Sequence, residues 1–181
     1  MAYRFILFIL LCFLAASAGA ADDAWVRINT HTDTLAVIQG DHVVEKLTDI
    51  SIGRGGVTRN RVRGDERTPL GRFRIGWINK SSPFHRFYGL DYPNRTYAER
   101  AFQEGLIGHH TLERILRAFR QHAIPPQNTA LGGYVGIHGV GRGSLRIHRL
   151  FNWTQGCVAL TNSQIDRLAP WIAVGTEVVI K

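Results

Sequence analysis

At 181 residues, with 45% hydrophobic and 20% charged, the chain has the balance of one folded domain with its own core, which excludes disorder and leaves hardly enough length for a second domain. Lysine and arginine total 22 against 14 acidic residues, and Lys46, Lys80 and Lys181 are the only lysines, so the net charge of +8 is almost all arginine. No stretch interleaves basic and stacking aromatic residues as a single-strand groove requires, so nucleic acid is not expected; carboxylate-bearing substrates or an anionic envelope surface are.

The chain opens on a targeting signal. Arg4 supplies a positive start, Phe5 to Ala16 is almost wholly apolar, and Ala18-Gly19-Ala20 is the small-residue pattern that a signal peptidase cuts. The apolar run is short for a membrane span, and the bulky Leu11 before Cys12 spoils a lipoprotein signal. Residues 1–20 are therefore expected to be removed, leaving an exported protein of the periplasm or cell envelope with no transmembrane segment. Cys12 goes with them. Cys157 is then the sole thiol in an oxidising compartment, where it is either buried and inert or free and reactive.

Trp25 to Asn29 alternates apolar and polar residues, Leu35 to Ile38 is a short apolar run, and Val43 to Ile52 follows the turn Gln39-Gly40-Asp41. These predict a meander opening an antiparallel sheet. Gly53 to Arg67 carries Arg54, Arg59, Arg61, Arg63 and Arg67 and is expected to be a solvated basic loop, unless some of its guanidiniums meet substrate carboxylates. Thr68-Pro69-Leu70-Gly71 predicts a tight turn, and Phe73, Ile75 and Trp77 alternate along the strand after it. In the aromatic segment from Ser81 to Asn94, Phe87 and Leu90 are assigned to the core, while Tyr88 and Tyr92 are candidates to line a substrate groove.

Thr96 with Glu99 has capping-box spacing for a short helix through Glu104, and Leu112, Ile115, Leu116 and Phe119 lie at helical spacing before Pro125-Pro126. Residues 96–124 are thus expected as a helical insertion packed on the edge of the sheet, with His109 and His110 capping it or facing solvent. Tyr134 to Ile137 leads as a strand into His138, and Val158 to Leu160 is another short strand. Thr161 and Gln164 repeat the capping-box spacing, Pro170 ends that helix, and Thr176 to Ile180 is the last strand. One strand-rich domain over 24–181 results.

The chemistry concentrates between Tyr134 and Asn162. A thiol with a pKa near about 8.5 needs a base to act as a nucleophile at neutral pH, and histidine titrates in the useful range. The base must itself be oriented, and the oxyanion needs donors, which backbone amides in a Gly-x turn at the nucleophile can supply. Gly156-Cys157 fits that demand. Two histidines compete for the base: His138 ends an apolar strand before Gly139, whereas His148 lies in LRIHRL and reads as part of an exposed strand face; spacing favours His138. No HExxH, GxSxG, Walker or dinucleotide pattern occurs, and one cysteine with scattered histidines makes a poor zinc site, so neither metal nor cofactor is expected. Histidine precedes cysteine here, opposite to papain-like peptidases.

Ile137-His138-Gly139 paired with Thr154-Gln155-Gly156-Cys157-Val158-Ala159-Leu160 resembles the active-site motif of the YkuD-type L,D-transpeptidase family. Thr68 to Phe73 matches that family's TPxGxF segment, and Gly175 to Ile180 its last strand. The resemblance implies a mainly β catalytic domain, a sandwich or barrel of mixed sheets with a short helical insertion. It implies Cys157 as nucleophile, His138 as base, Gly139 orienting the imidazole through its carbonyl, and Thr154, Gln155 and Gly156 shaping the pocket. The implied reaction is attack on a peptidoglycan tetrapeptide stem to form a Cys157 thioester. A second stem or an envelope protein then accepts the acyl group. A thiol hydrolase of the same fold (an L,D-carboxypeptidase or an amidase releasing wall-attached protein) and a catalytically silent envelope-binding domain are the rivals. Gln155 stands where the family often has histidine, and Ala159 where it often has asparagine or arginine.

Overall fold

A computed structural model describes residues 24–181, and the expected signal sequence with Cys12 lies outside the described residues. Strands β1 (Ala24–Asn29), β2 (Thr34–Gln39) and β3 (His42–Leu47) form the antiparallel meander. In β1 the buried positions Ala24, Val26 and Ile28 alternate with half-buried ones, as the period of a strand with one covered face demands. The strand expected to run on to Ile52 instead stops at Leu47, and Asp49 takes a left-handed φ of 56°. Aspartate tolerates that conformation, and the break turns the following residues away from β2.

The expected turn at Thr68-Gly71 is replaced by a small parallel ladder, β4 (Val57–Thr58) with β5 (Thr68–Pro69). Buried Thr68 explains it, since its hydroxyl accepts from the Gly53 amide at 2.8 Å and ties the two ends of the arginine loop together. Strand β6 (Gly71–Ser82) then pairs antiparallel with β7 (His85–Leu90). Helices α1 (Arg95–Gln103) and α2 (His109–Arg120) follow, inserted before β8 (Gly136–Gly139). Asn94 caps α1 by accepting from the Tyr97 amide at 3.0 Å, in place of the expected Thr96 box. Tyr97, Ala98, Ala101, Leu112 and Ile115 join the main apolar core, so the insertion is part of the domain's interior.

After β8 the LRIHRL segment forms a helix, α3 (Leu145–Leu150), where a strand was expected. Ser144 caps it by accepting from the Ile147 amide, and the turn sends His148 inward. Strand β9 (Val158–Leu160) leads to α4 (Asn162–Leu168), which has the Thr161/Gln164 capping box in full, and the described chain closes with β10 (Glu177–Ile180).

Apart from β4 and β5, the strands make one mixed sheet in the order β3-β2-β1-β10-β6-β7-β8-β9. Strand β10 runs parallel to β1 and antiparallel to β6, and β9 runs parallel to β8. The chain leaving β3 then returns to the far edge. Ser51 exchanges both backbone hydrogen bonds with Ala159, at 3.0 and 2.7 Å, so the sheet nearly closes on itself. This closure sets the turn before Cys157 against Ile52 to Arg54: Thr154 donates to the Ile52 carbonyl, and Arg54 donates to that of Thr154.

Candidate active site

The register between β8 and β9 places His138 directly beside Ala159. Cys157 lies two residues before Ala159, and side chains two apart share a face of a sheet. Cys157 stands just ahead of β9, where this register extended by one residue faces Gly136, so the imidazole and the thiol come from positions on the same side of the sheet.

His138 is buried, and its Nδ1 lies 2.7 Å from its own neighbour's carbonyl, that of Gly139. A carbonyl only accepts, so Nδ1 carries the hydrogen and Nε2 keeps its lone pair. Phe84 lies tilted against the ring at 4.4 Å between centroids, Phe87 stacks at 6.0 Å, and Trp153 meets it edge-on at 5.8 Å. The hairpin tip carrying Phe84 is pinned to α4, where Asp166 accepts from Arg86 at 2.7 Å and contacts His85 at 2.9 Å. Burial, the largest influence, holds the His138 imidazole below its ordinary value, with the Gly139 carbonyl pulling the other way.

Cys157 is half-buried, and its thiol donates to the Tyr134 carbonyl at 3.4 Å. Burial pushes this thiol up to about 11, against smaller opposing pulls from the Gly136 backbone and the Arg61 charge. The residues before it form a compact turn. The Thr154 hydroxyl donates to the Cys157 carbonyl at 2.6 Å and accepts from the Gly156 amide at 3.2 Å. Gly156 has φ of 120°, and a Cβ there would come within 2.7 Å of the Arg67 carbonyl oxygen, so only glycine fits. Gln155 is exposed at the rim.

Beneath the turn sits a residue the sequence placed in a solvated loop. Arg61 is only 5% exposed, unlike Arg54, Arg59, Arg63 and Arg67. Its guanidinium donates to the carbonyls of Arg67 at 2.9 Å, Leu131 at 2.8 Å and Gln155 at 3.2 Å, with Asp65 at 3.8 Å as its carboxylate partner. The planar fork of arginine can serve three acceptors at once. Arg61 thus braces the residue two before the thiol from below, and it is a structural cation that free substrate carboxylates do not reach.

Tyr88 and Tyr92 are corrected. Tyr88 pairs with Ile137, whose neighbour on β9 is Val158, so it points to the core face opposite His138 and is 2% exposed. Tyr92 is fully buried, with its hydroxyl donating to the Leu131 carbonyl at 2.9 Å. Neither lines a groove. His148 is likewise buried, and its Nδ1 accepts from the indole N–H of Trp153 at 3.3 Å. Among the described residues no group of three His, Cys, Asp or Glu side chains is placed to hold a metal, and no helix is long and apolar enough to cross a membrane.

A family model described as YkuD, the L,D-transpeptidase catalytic domain, matches residues 23–180. Comparison with curated proteins gave no match. Among solved structures, the helical cell shape determining protein Pgp2 from Campylobacter jejuni is similar at a TM-score of 0.58 and 22% identity, over 88% of this chain and 48% of that one. Bd1075 from Bdellovibrio bacteriovorus gives 0.58 at 17% identity, over 91% and 50%. An L,D-transpeptidase from Enterococcus faecium gives 0.50 at 12% identity, over 88% and 50%. The chain spans about half the length of these structures, and at such identities the likeness is one of fold. The family model runs from the first described strand to the last and takes in both members of the His138/Cys157 pair: the chain belongs to the YkuD family of L,D-transpeptidase catalytic domains.

Proposed function

We propose that this chain is an exported cysteine acyltransferase acting on peptidoglycan tetrapeptide stems. What supports the reading is the register of β8 with β9, which puts a half-buried thiol at the end of one strand next to the strand carrying a buried imidazole whose tautomer is set by the Gly139 carbonyl. Nε2 of His138 takes the proton of Cys157 as the sulfur attacks the carbonyl of the third stem residue, a diamino acid. The Gly156 amide is engaged by Thr154, so the Cys157 amide is the turn's donor to the oxyanion. As the tetrahedral species collapses, the C–N bond breaks, and His138 returns the proton to the departing amine of D-alanine. A Cys157 thioester remains. An amine on another stem, or on an envelope protein, then displaces the thiol to give an amide cross-link; water in its place gives hydrolysis. Gln155 at the rim and Ala159 beside the imidazole are the positions where this chain departs from the family's usual residues, and they bear on that choice of acceptor.

Incubating the protein with a disaccharide tetrapeptide and following it by mass spectrometry tests the reading. Loss of D-alanine with a mass adduct on Cys157 is expected, and dimers or shortened monomers then distinguish transfer from hydrolysis. Intact tetrapeptide and an unmodified thiol would sink the enzymatic reading in favour of an envelope-binding domain.

The pH profile follows from the two shifts. His138 works as a base only when neutral, and its pKa lies below the ordinary 6.5, so the rate of acylation rises through a midpoint below that value. The thiol stays protonated until its pKa of about 11, so the resting pair is thiol and neutral imidazole and has no imidazolium to lose. Acylation kcat/KM is expected to plateau from roughly pH 7 to 9. A bell with its alkaline limb inside that range would instead indicate a preformed thiolate–imidazolium pair.

A further inference from the structure

The ring that meets His138 edge-on is itself held from behind. Trp153 donates its indole N–H to Nδ1 of His148 at 3.3 Å. His148 comes from the buried side of α3 and is 3% exposed. Because Nδ1 accepts, the ring is neutral with its hydrogen on Nε2, and Nε2 has no hydrogen-bond partner among the described residues. Burial is the largest influence on the ring and lowers its pKa; the Asp49 backbone and carboxylate pull it up and Arg149 pulls it down, while His148 in turn lowers the pKa of His138.

A buried histidine is an expensive way to fill this position, since leucine has nearly the same volume and no polar atom to desolvate. What leucine lacks is the acceptor for Trp153. We infer that His148 is a positioning residue for the proposed base, acting through Trp153: it fixes the indole, and the indole closes the side of the His138 imidazole left open by Phe84 and Phe87. With Nδ1 tied to Gly139 and three rings around it, the imidazole is held in one orientation. The inference rests on the acyl-transfer reading, because it assigns His148 no contact with substrate.

The test uses two readouts, the pH-dependent alkylation of Cys157 by iodoacetamide, which needs no substrate, and D-alanine release from disaccharide tetrapeptide. His148→Leu is expected to lower both rates about tenfold or more, as a base displaced from its productive geometry does, while KM stays put. Trp153→Phe keeps a ring and loses the donor, and it should fall by the same factor. The double variant should fall no further, because the two residues act as one unit. His148→Asn places an amide oxygen near the position of Nδ1 and is expected to recover most of the rate, and circular dichroism identifies any variant that fails to fold. A folded His148→Leu with the wild-type alkylation rate and pH midpoint overturns the inference, as do losses in the two single variants that multiply in the double. If wild-type alkylation is unchanged in His138→Ala, the base itself is wrong and both readings fall. His138-dependent alkylation that is indifferent to His148 overturns this inference alone.

Discussion

Cys157→Ala is expected to release no D-alanine from a disaccharide tetrapeptide, a fall on the order of 10⁶ in kcat of the kind seen when a covalent nucleophile is removed. The fold should survive the change. The thiol is half-buried, and it makes one weak hydrogen bond, to the Tyr134 carbonyl, so the loss of stability is about 1 kcal/mol. The turn does not depend on it, because Thr154, Gly156 and the Cys157 backbone carry its hydrogen bonds. His138→Ala is a harsher experiment. It leaves a thiol near 11 without a base, and it also opens a cavity between Phe84, Phe87 and Trp153. Residual acylation 10²–10⁴-fold below wild type is expected there, accompanied by a lowered melting temperature. Thermal unfolding of both variants alongside the peptide assay separates chemistry from packing. Release of D-alanine by the alanine variant at position 157 would assign the reaction to another nucleophile.

The Arg61→Met chain is expected to lose about 3–5 kcal/mol of stability, the range found when one member of a buried ion pair is removed. The side chain is of similar reach, so the cost is polar. The Gln155 and Arg67 carbonyls lose a donor, and Asp65 loses its cation, although the Val62 and Arg67 amides still donate to its carboxylate. The Leu131 carbonyl keeps the Tyr92 hydroxyl and suffers least. Arg61→Lys should not restore the protein, since one ammonium cannot reach three carbonyls fixed for a planar fork. Urea denaturation measures the loss, and alkylation of Cys157 in folded protein reports whether the turn has loosened. A methionine variant within about 1 kcal/mol of wild type would show that the turn before the thiol holds without its brace.

The parts of the site that were legible in the sequence are those whose information is local. His138-Gly139 and Gly156-Cys157 each occupy one turn or strand end, and the capping box at Thr161 and Gln164 is written in four consecutive residues. What escaped depended on register or on distant contacts. Alternation along β7 marks Tyr88 as different from its neighbours, but only the pairing with Ile137 decides which face is the core. Arg61 reads as one guanidinium among several until the carbonyls of Leu131 and Gln155, far along the chain, come to surround it. The six residues of α3 are too few to display a helical period, so an apolar-basic alternation there imitated a strand. Asp49 ended β3 by a single left-handed residue, and that one break supplies the crossing that closes the sheet.

The place of β10 has a consequence for how the molecule comes into being. It is formed from Glu177–Ile180, yet it lies in the middle of the sheet, between β1 and β6. Until those residues are available, the two halves of the sheet have no strand to join them, and the bonds between Ser51 and Ala159 close a loop of more than half the chain. Completion of the sheet therefore waits for this strand and is slow for the chain's size. Before that strand is in place, β8 and the residues around Cys157 lack the sheet that brings them together.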